Sequence, residues 1–258
     1  MPSRDIDREL VDAADAGNDA QVSALLALGA NPMRESSKAL LWAAYKGHEE
    51  CVRLLLPVSD PKAEMSRALR WAATNGHAEC ARLLLPVSDP QADDSHALRW
   101  AAKNGHAECV KLLMPASEPK ARESQALKLA ARNGHGECVK LLLPVSDALA
   151  GEFEALRGAA YNGHEQCVRL LLAASGPLGE IDGLLEQVIE TGCAKVAAVL
   201  IGAEPRLLDG INLPKCLAEA LAKEHRALAA YLSAIMEQRE LSGMGQNRPD
   251  SRPVAGRL

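Results

Sequence analysis

The chain has 258 residues, of which 48% are hydrophobic but only 3% aromatic, and a formal net charge of −5 at pH 7. With one Phe, three Tyr and three Trp, packing falls to small and aliphatic side chains, which favours close-set Ala- and Leu-rich helices over a β-sandwich. The acidic balance gives no broad electropositive surface for a phosphate backbone, so nucleic acid is not an expected partner.

The opening stretch, MPSRDIDREL, is charged from its fourth residue and has no signal-peptide apolar core. No apolar run approaches the roughly 18 residues of a membrane helix. A soluble, cytoplasmic protein without membrane association is expected. Seven cysteines, an odd number set inside apolar segments, differ from a secreted disulfide framework and fit a reducing compartment.

Further along, one unit recurs. LVDAADAGNDAQVSALLALGANP (10–32) is a weak copy. Then come KALLWAAYKGHEECVRLLLPVSD, RALRWAATNGHAECARLLLPVSD, HALRWAAKNGHAECVKLLMPASE, QALKLAARNGHGECVKLLLPVSD and EALRGAAYNGHEQCVRLLLAASG. Their histidines, His48, His77, His106, His135 and His164, lie 29 residues apart, and Cys51, Cys80, Cys109, Cys138 and Cys167 each follow by three. Weaker copies continue in LLEQVIETGCAKVAAVLIGAEP and ALAKEHRALAAYL. Eight units with capping outer members are expected over residues 1–241. The segment 242–258, mixing Gly, Pro, Ser and Arg without apolar periodicity, is expected to be disordered.

Within a unit, Leu69, Ala72 and Ala73 follow i, i+3, i+4 spacing, and Cys80, Leu83 and Leu84 repeat it after Asn75-Gly76. That pattern predicts a helix–turn–helix. Gly76 suits the left-handed residue ending the first helix, and Pro86 supplies the stop after the second. Ser66, Ser95 and Ser124 stand where an N-cap is useful. A single hairpin cannot hide its apolar stripe, so the copies are expected to stack as an all-α solenoid.

These residues resemble the ankyrin-repeat family. Its core pattern maps onto Leu98, Trp100-Ala101-Ala102, Gly105-His106, Cys109-Val110 and Leu112-Leu113, over about residues 5–240. Two departures stand out: Arg67-Ala68-Leu69-Arg70 replaces Thr-Pro-Leu-His, and the period is 29 residues where the family's is about 33. The loss falls in the connector, which implies shortened β-turn fingers. The resemblance implies that each Cys fills a buried position usually held by Val, and that each His hydrogen-bonds across the inter-helix turn.

The recurring His/Cys pair raises a zinc or nucleophile reading. Zinc ligands sit about 2.0–2.3 Å from the metal, whereas equivalent atoms of stacked helices are about 8–10 Å apart. Bridged cysteine Cα atoms lie within about 7 Å. Successive pairs therefore cannot pool ligands or form disulfides, and no catalysis, metal or cofactor is expected. Cys193 and Cys216, outside the column, read as unpaired thiols, with a reactive role as the alternative.

Function is then expected on the surface the stack leaves open. Relative to the buried stripe, Trp71 points roughly 150° away. Trp42, Trp71 and Trp100 occupy equivalent positions and should form a ladder, near the concave side that an ankyrin-like array implies. Two accounts stand: each Trp fills space under a short connector, or the indoles anchor a partner. Arg67 and Thr74 project beside them, with Lys38, Tyr45, His96 and Lys103 in neighbouring copies. A basic column, Arg70, Arg99, Lys128 and Arg157, either pairs with connector carboxylates or meets an acidic partner. Positions after each Ala-Ala vary between copies, as in Tyr45, Thr74, Lys103, Arg132 and Tyr161, and the resemblance makes them contact candidates. On the second helices, Glu50 with Arg53 and Glu79 with Arg82 read as a solvated face.

The resulting expectation is a monomeric, non-enzymatic scaffold that binds a partner protein or peptide through Trp42, Tyr45, Arg67, Arg70, Trp71, Thr74, Arg99, Trp100, Lys103, Lys128, Arg132 and Tyr161. A secreted bacterial effector using the same groove, and a His/Cys metal or catalytic protein, are the alternatives.

Overall fold

The computed structural model describes residues 3–175, 183–209 and 211–246. Its contacts divide the chain into two compact units, Met1–Ile181 and Asp182–Leu258. Among the described residues every regular element is helical.

Six hairpins follow one another in the first unit: α1 (Ser3–Ala16) with α2 (Asp19–Ala27), α3 (Arg34–Lys46) with α4 (Glu49–Leu55), and α5 (Ala63–Thr74) with α6 (Ala78–Leu84). Then come α7 (Ala92–Lys103) with α8 (Ala107–Leu113), α9 (Ala121–Arg132) with α10 (Gly136–Leu142), and α11 (Ala150–Tyr161) with α12 (Glu165–Ser175). First helices pack on first helices and second on second, giving the two layers of a helical solenoid. Between them lies a repeating core: Leu69, Ala72, Ala73, Cys80, Ala81 and Leu84 are buried, as are Leu98, Ala101, Ala102, Cys109, Val110 and Leu113. Paired alanines let the helices approach closely while the leucines fill what remains.

The first five turns are each fixed by the unit that follows. Gly47, Gly76, Gly105 and Gly134 are left-handed at φ between 79° and 81°, the conformation glycine adopts without steric cost. Over each lies the next unit's imidazole: a Cβ on Gly47, Gly76 or Gly105 would fall 2.4–2.5 Å from Nδ1 of His77, His106 or His135. The same rings donate from Nε2 to the Asp15, Tyr45, Lys103 and Arg132 carbonyls, for His48, His77, His135 and His164, at 2.9–3.0 Å. The expected histidine bond therefore reaches the preceding unit and not across its own turn. At His106 the Thr74 carbonyl is shared with Asn104 Nδ2, 2.8 Å away.

Connectors depart further from expectation. Three consecutive residues near the start of α3, α5, α7 and α9 are left-handed, at φ between 48° and 61°: Glu35–Ser37, Glu64–Ser66, Asp93–Ser95 and Arg122–Ser124. For non-glycine residues this costs about 1–2 kcal/mol each, so surrounding contacts must hold it. The serines supply one such contact. The N–H groups of Asp60, Asp89, Glu118 and Asp147 donate to Oγ of Ser37, Ser66, Ser95 and Ser124 at 2.8–2.9 Å. Ser66, Ser95 and Ser124 are thus not N-caps of their own helices, because their positive φ lacks the extended backbone a cap requires; they tie each connector to the next. Asp60, Asp89 and Asp147 accept from the N–H two residues on at 2.9–3.0 Å, closing Asx turns. This compact connector stands where the family's finger projects, and no described residue is in a strand.

Pro57, Pro115 and Pro144 lie in single 3-10 turns that end the second helices. In the fifth copy Ala173 replaces proline and α12 continues to Ser175. The second unit contains α13 (Leu184–Thr191), α14 (Ala194–Ala203), α15 (Leu213–Ala222) and α16 (Arg226–Gln246). It repeats the interlock, with His225 over Gly192. Helix α16 runs five residues into the segment expected to lack structure, and residues 247–258 lie outside the described residues.

The interlock predicts non-additivity. Gly105→Ala should cost about 2–3 kcal/mol in urea denaturation, of which about 1–2 is the left-handed backbone. In a His135→Ala background the cost should fall to that backbone part. Equal costs in both backgrounds would contradict the packing described.

Candidate functional site

The first-helix layer gathers the chain's three tryptophans. Because the helices stack in register, position 42 recurs as Trp71 and Trp100, then shrinks to Leu129 and Gly158. Each indole is half-buried. Tyr45 wedges between two of them, edge-to-face with Trp42 at 5.5 Å and with Trp71 at 4.6 Å between ring centres. His96 stacks on Trp100 at 5.3 Å. Cations lie on the rings: Lys103 Nζ is 3.9 Å from the Trp100 centre, Arg67 is 5.5 Å from that of Trp71, and Lys46 is 5.9 Å from that of Tyr45. The indoles are thus braced by neighbours and partly open to solvent.

The basic column behaves differently. Arg99 is 6% exposed and spends its guanidinium inside the chain, on the Asp94 carbonyl (2.9 Å), the Asp93 carbonyl (2.7 Å) and Gln125 Oε1 (3.0 Å). Arg70 donates to the Glu64 carbonyl at 3.0 Å and pairs with Asp93 at 3.1 Å. Lys128 meets Glu123 at 3.2 Å and Glu154 at 2.8 Å. Arg70 and Arg99 therefore hold carbonyls of the left-handed turns; Arg70 and Lys128 also pair with carboxylates, whereas Arg99 meets none and bonds only carbonyls and Gln125. Arg157 also makes an internal interaction.

Of the remaining candidates, Arg67 pairs with Glu64, and Lys38 with Glu35 at 2.7 Å. Thr74 donates to the Arg70 carbonyl at 2.7 Å. Arg132 is exposed, and Tyr161 is 60% exposed. On the opposite layer Glu50–Arg53 and Glu79–Arg82 form exposed pairs at 3.4 and 3.2 Å.

Sequence reasoning missed the acceptors. The cation of one unit points at the residue 26 positions on, which is Gln125 for Arg99 and Glu154 for Lys128. The equivalent partner of Arg70 is His96, where an imidazole replaces the acceptor. Arg70 Nε and His96 Nδ1 are both buried without a hydrogen-bond partner. Burial, reinforced by Arg70 and then Arg99 and Arg122 against the opposing Asp93, pulls His96 from its ordinary 6.5 to about 4. The signal available in the sequence was this 26-residue offset between a basic column and a changing polar one.

The thiols are held neutral. Cys51, Cys80, Cys109, Cys138 and Cys167 are buried, and burial pushes Cys80, Cys109 and Cys138 up to about 11. A thiol kept protonated is a poor nucleophile, and the neighbouring imidazoles commit Nε2 to carbonyls. Among the described residues no three His, Cys, Asp or Glu side chains are grouped to hold a metal ion.

Two measurements follow. An aromatic disulfide reagent should label Cys193 quickly and the six buried cysteines only on unfolding; rapid labelling of Cys80 or Cys109 in folded protein would contradict their burial. Because His96 is neutral when folded, its contribution to stability is full above pH 6.5 and lost as pH falls towards about 4. Urea titrations should show His96→Gln losing part of that acid slope, and an NMR titration placing His96 at 6 or above would refute it.

A family model for ankyrin repeats in three copies matches residues 10–94 and again 98–182. No curated protein matches the chain. The matched stretches run from within α1 through the end of α12, and five of these six hairpins turn on Gly-His between an Ala-paired first helix and the second; the chain belongs to the ankyrin-repeat family.

Proposed function

We propose that this chain is a non-enzymatic scaffold that captures a partner protein or peptide on its first-helix face. Ankyrin repeats are in general protein-interaction modules. The observation carrying the reading is the run Trp42, Tyr45, Trp71 and Trp100, half-buried and cross-braced, with three cations laid on its rings. Indoles dominate binding when an interface closes over them. Rings already locked by neighbours lose little freedom on association, so less of the interaction is spent on ordering.

Contacts fall to this aromatic run and to Arg67, Thr74, Lys103, Arg132 and Tyr161, which reach solvent. Arg70, Arg99 and Lys128 support the face from beneath by fixing the turns and their acceptors. No described helix is long and apolar enough to cross a membrane.

Trp71→Ala with Trp100→Ala should weaken binding to a partner recovered by affinity capture by more than about 1 kcal/mol, with helicity kept. Unchanged affinity in the folded double variant would return the indoles to a space-filling role.

A further inference from the structure

The first helices after α1 carry a charge balance opposite to that of the chain, whereas α1 itself holds two basic and five acidic residues. Helices α3, α5, α7, α9 and α11 hold eleven basic and seven acidic residues, against a net charge of −5 for the whole chain. Most of the cations are internally paired. Lys103 and Arg132 are not: among the described residues neither has a carboxylate within ion-pair distance. Both stand in the last turn of a first helix, where the helix dipole favours a cation but does not neutralise it.

Lys103 lies 3.9 Å over the Trp100 ring. In the following units the indole position becomes Leu129 and then Gly158, and the missing side chain makes room for Arg132, whose Cβ lies 3.3 Å from where a Gly158 Cβ would be. Trp71, Trp100 and Leu129 thus form a strip flanked on adjacent units by two unneutralised cations. Units are spaced by about 10 Å, and an extended peptide advances about 3.3 Å per residue. Carboxylates about three residues apart match that spacing.

We propose that the partner presents an acidic, extended peptide segment, with carboxylates at this interval on Lys103 and Arg132 and an apolar or aromatic side chain on the Trp71 and Trp100 indoles. The proposal rests on the interaction-face reading and narrows it to one chemical class. Charge complementarity orients the segment and apolar contact holds it, so neither an uncharged peptide nor a basic one fits.

All three tryptophans belong to this face, so selectively excited tryptophan emission reports it alone. At physiological salt, a random copolymer of Glu and Tyr should shift that emission saturably, whereas a copolymer of Lys and Tyr and an oligodeoxythymidine should not. Lys103→Glu with Arg132→Glu should weaken the Glu/Tyr response about tenfold or more at unchanged helicity. Three results overturn the proposal: no response to the Glu/Tyr polymer, an equal response to the Lys/Tyr polymer, or indifference to charge reversal. Equal binding of oligodeoxythymidine also overturns it, in favour of polyanions generally. A captured partner lost on Trp71→Ala/Trp100→Ala but kept on Lys103→Glu/Arg132→Glu removes the acidic class and leaves the interaction face standing.

Discussion

An imidazole laid on a glycine sets the geometry of the first unit. Left-handed backbone at Gly76 ends α5 without a Cβ, and the space so created is filled by His106 of the next hairpin. The ring then reaches back to the Thr74 carbonyl, which the first helix would otherwise leave without a donor. Each such bond is worth about 1 kcal/mol net, but its repetition fixes how far and in which orientation one hairpin follows another. Stability of this kind is carried by nearest neighbours, and the Ala-Ala pairs, the buried thiols and the serine links all fall into the register it imposes.

Register is also what turns single side chains into a surface. An indole at position 71 is an isolated apolar residue; with equivalents at 42 and 100 on adjacent helices it becomes a strip, braced by Tyr45 and His96. The scaffold tolerates variation at these places because they sit outside the core. Tyr45, Thr74, Lys103, Arg132 and Tyr161 differ freely while the Leu, Ala, Cys and Leu positions beneath them stay the same.

Much of this was legible in the chain itself. The 29-residue period, the Gly-His turn and the two apolar stripes specify hairpins and their stacking, since each uses a residue's intrinsic preference. The left-handed triplets were not legible: Glu64, Met65 and Ser66 have no preference for that conformation and look like the start of an ordinary helix. What holds them is the Asp89 N–H on Ser66, from the next connector, with the Arg70 guanidinium on the Glu64 carbonyl adding a side-chain contact within α5. The same limit hid the role of Arg99. Its basic charge suggested a contact residue, and only the fold shows its donors turned inward onto Asp93, Asp94 and Gln125. The Trp positions were found from helical angles alone, but their bracing depends on side chains from adjacent units.

The central claim is that one 29-residue period is a complete structural step, because the His–carbonyl and Ser–N–H links recur at equivalent positions of successive units. The most direct test excises residues 79–107, one full period, which joins Ala78 to Glu108 and restores the sequence His-Ala-Glu-Cys at the junction. The account predicts a folded protein with one hairpin fewer, unchanged helicity per residue and a single cooperative unfolding transition. Loss of cooperative unfolding, or a collapsed product with diminished helicity, would contradict it.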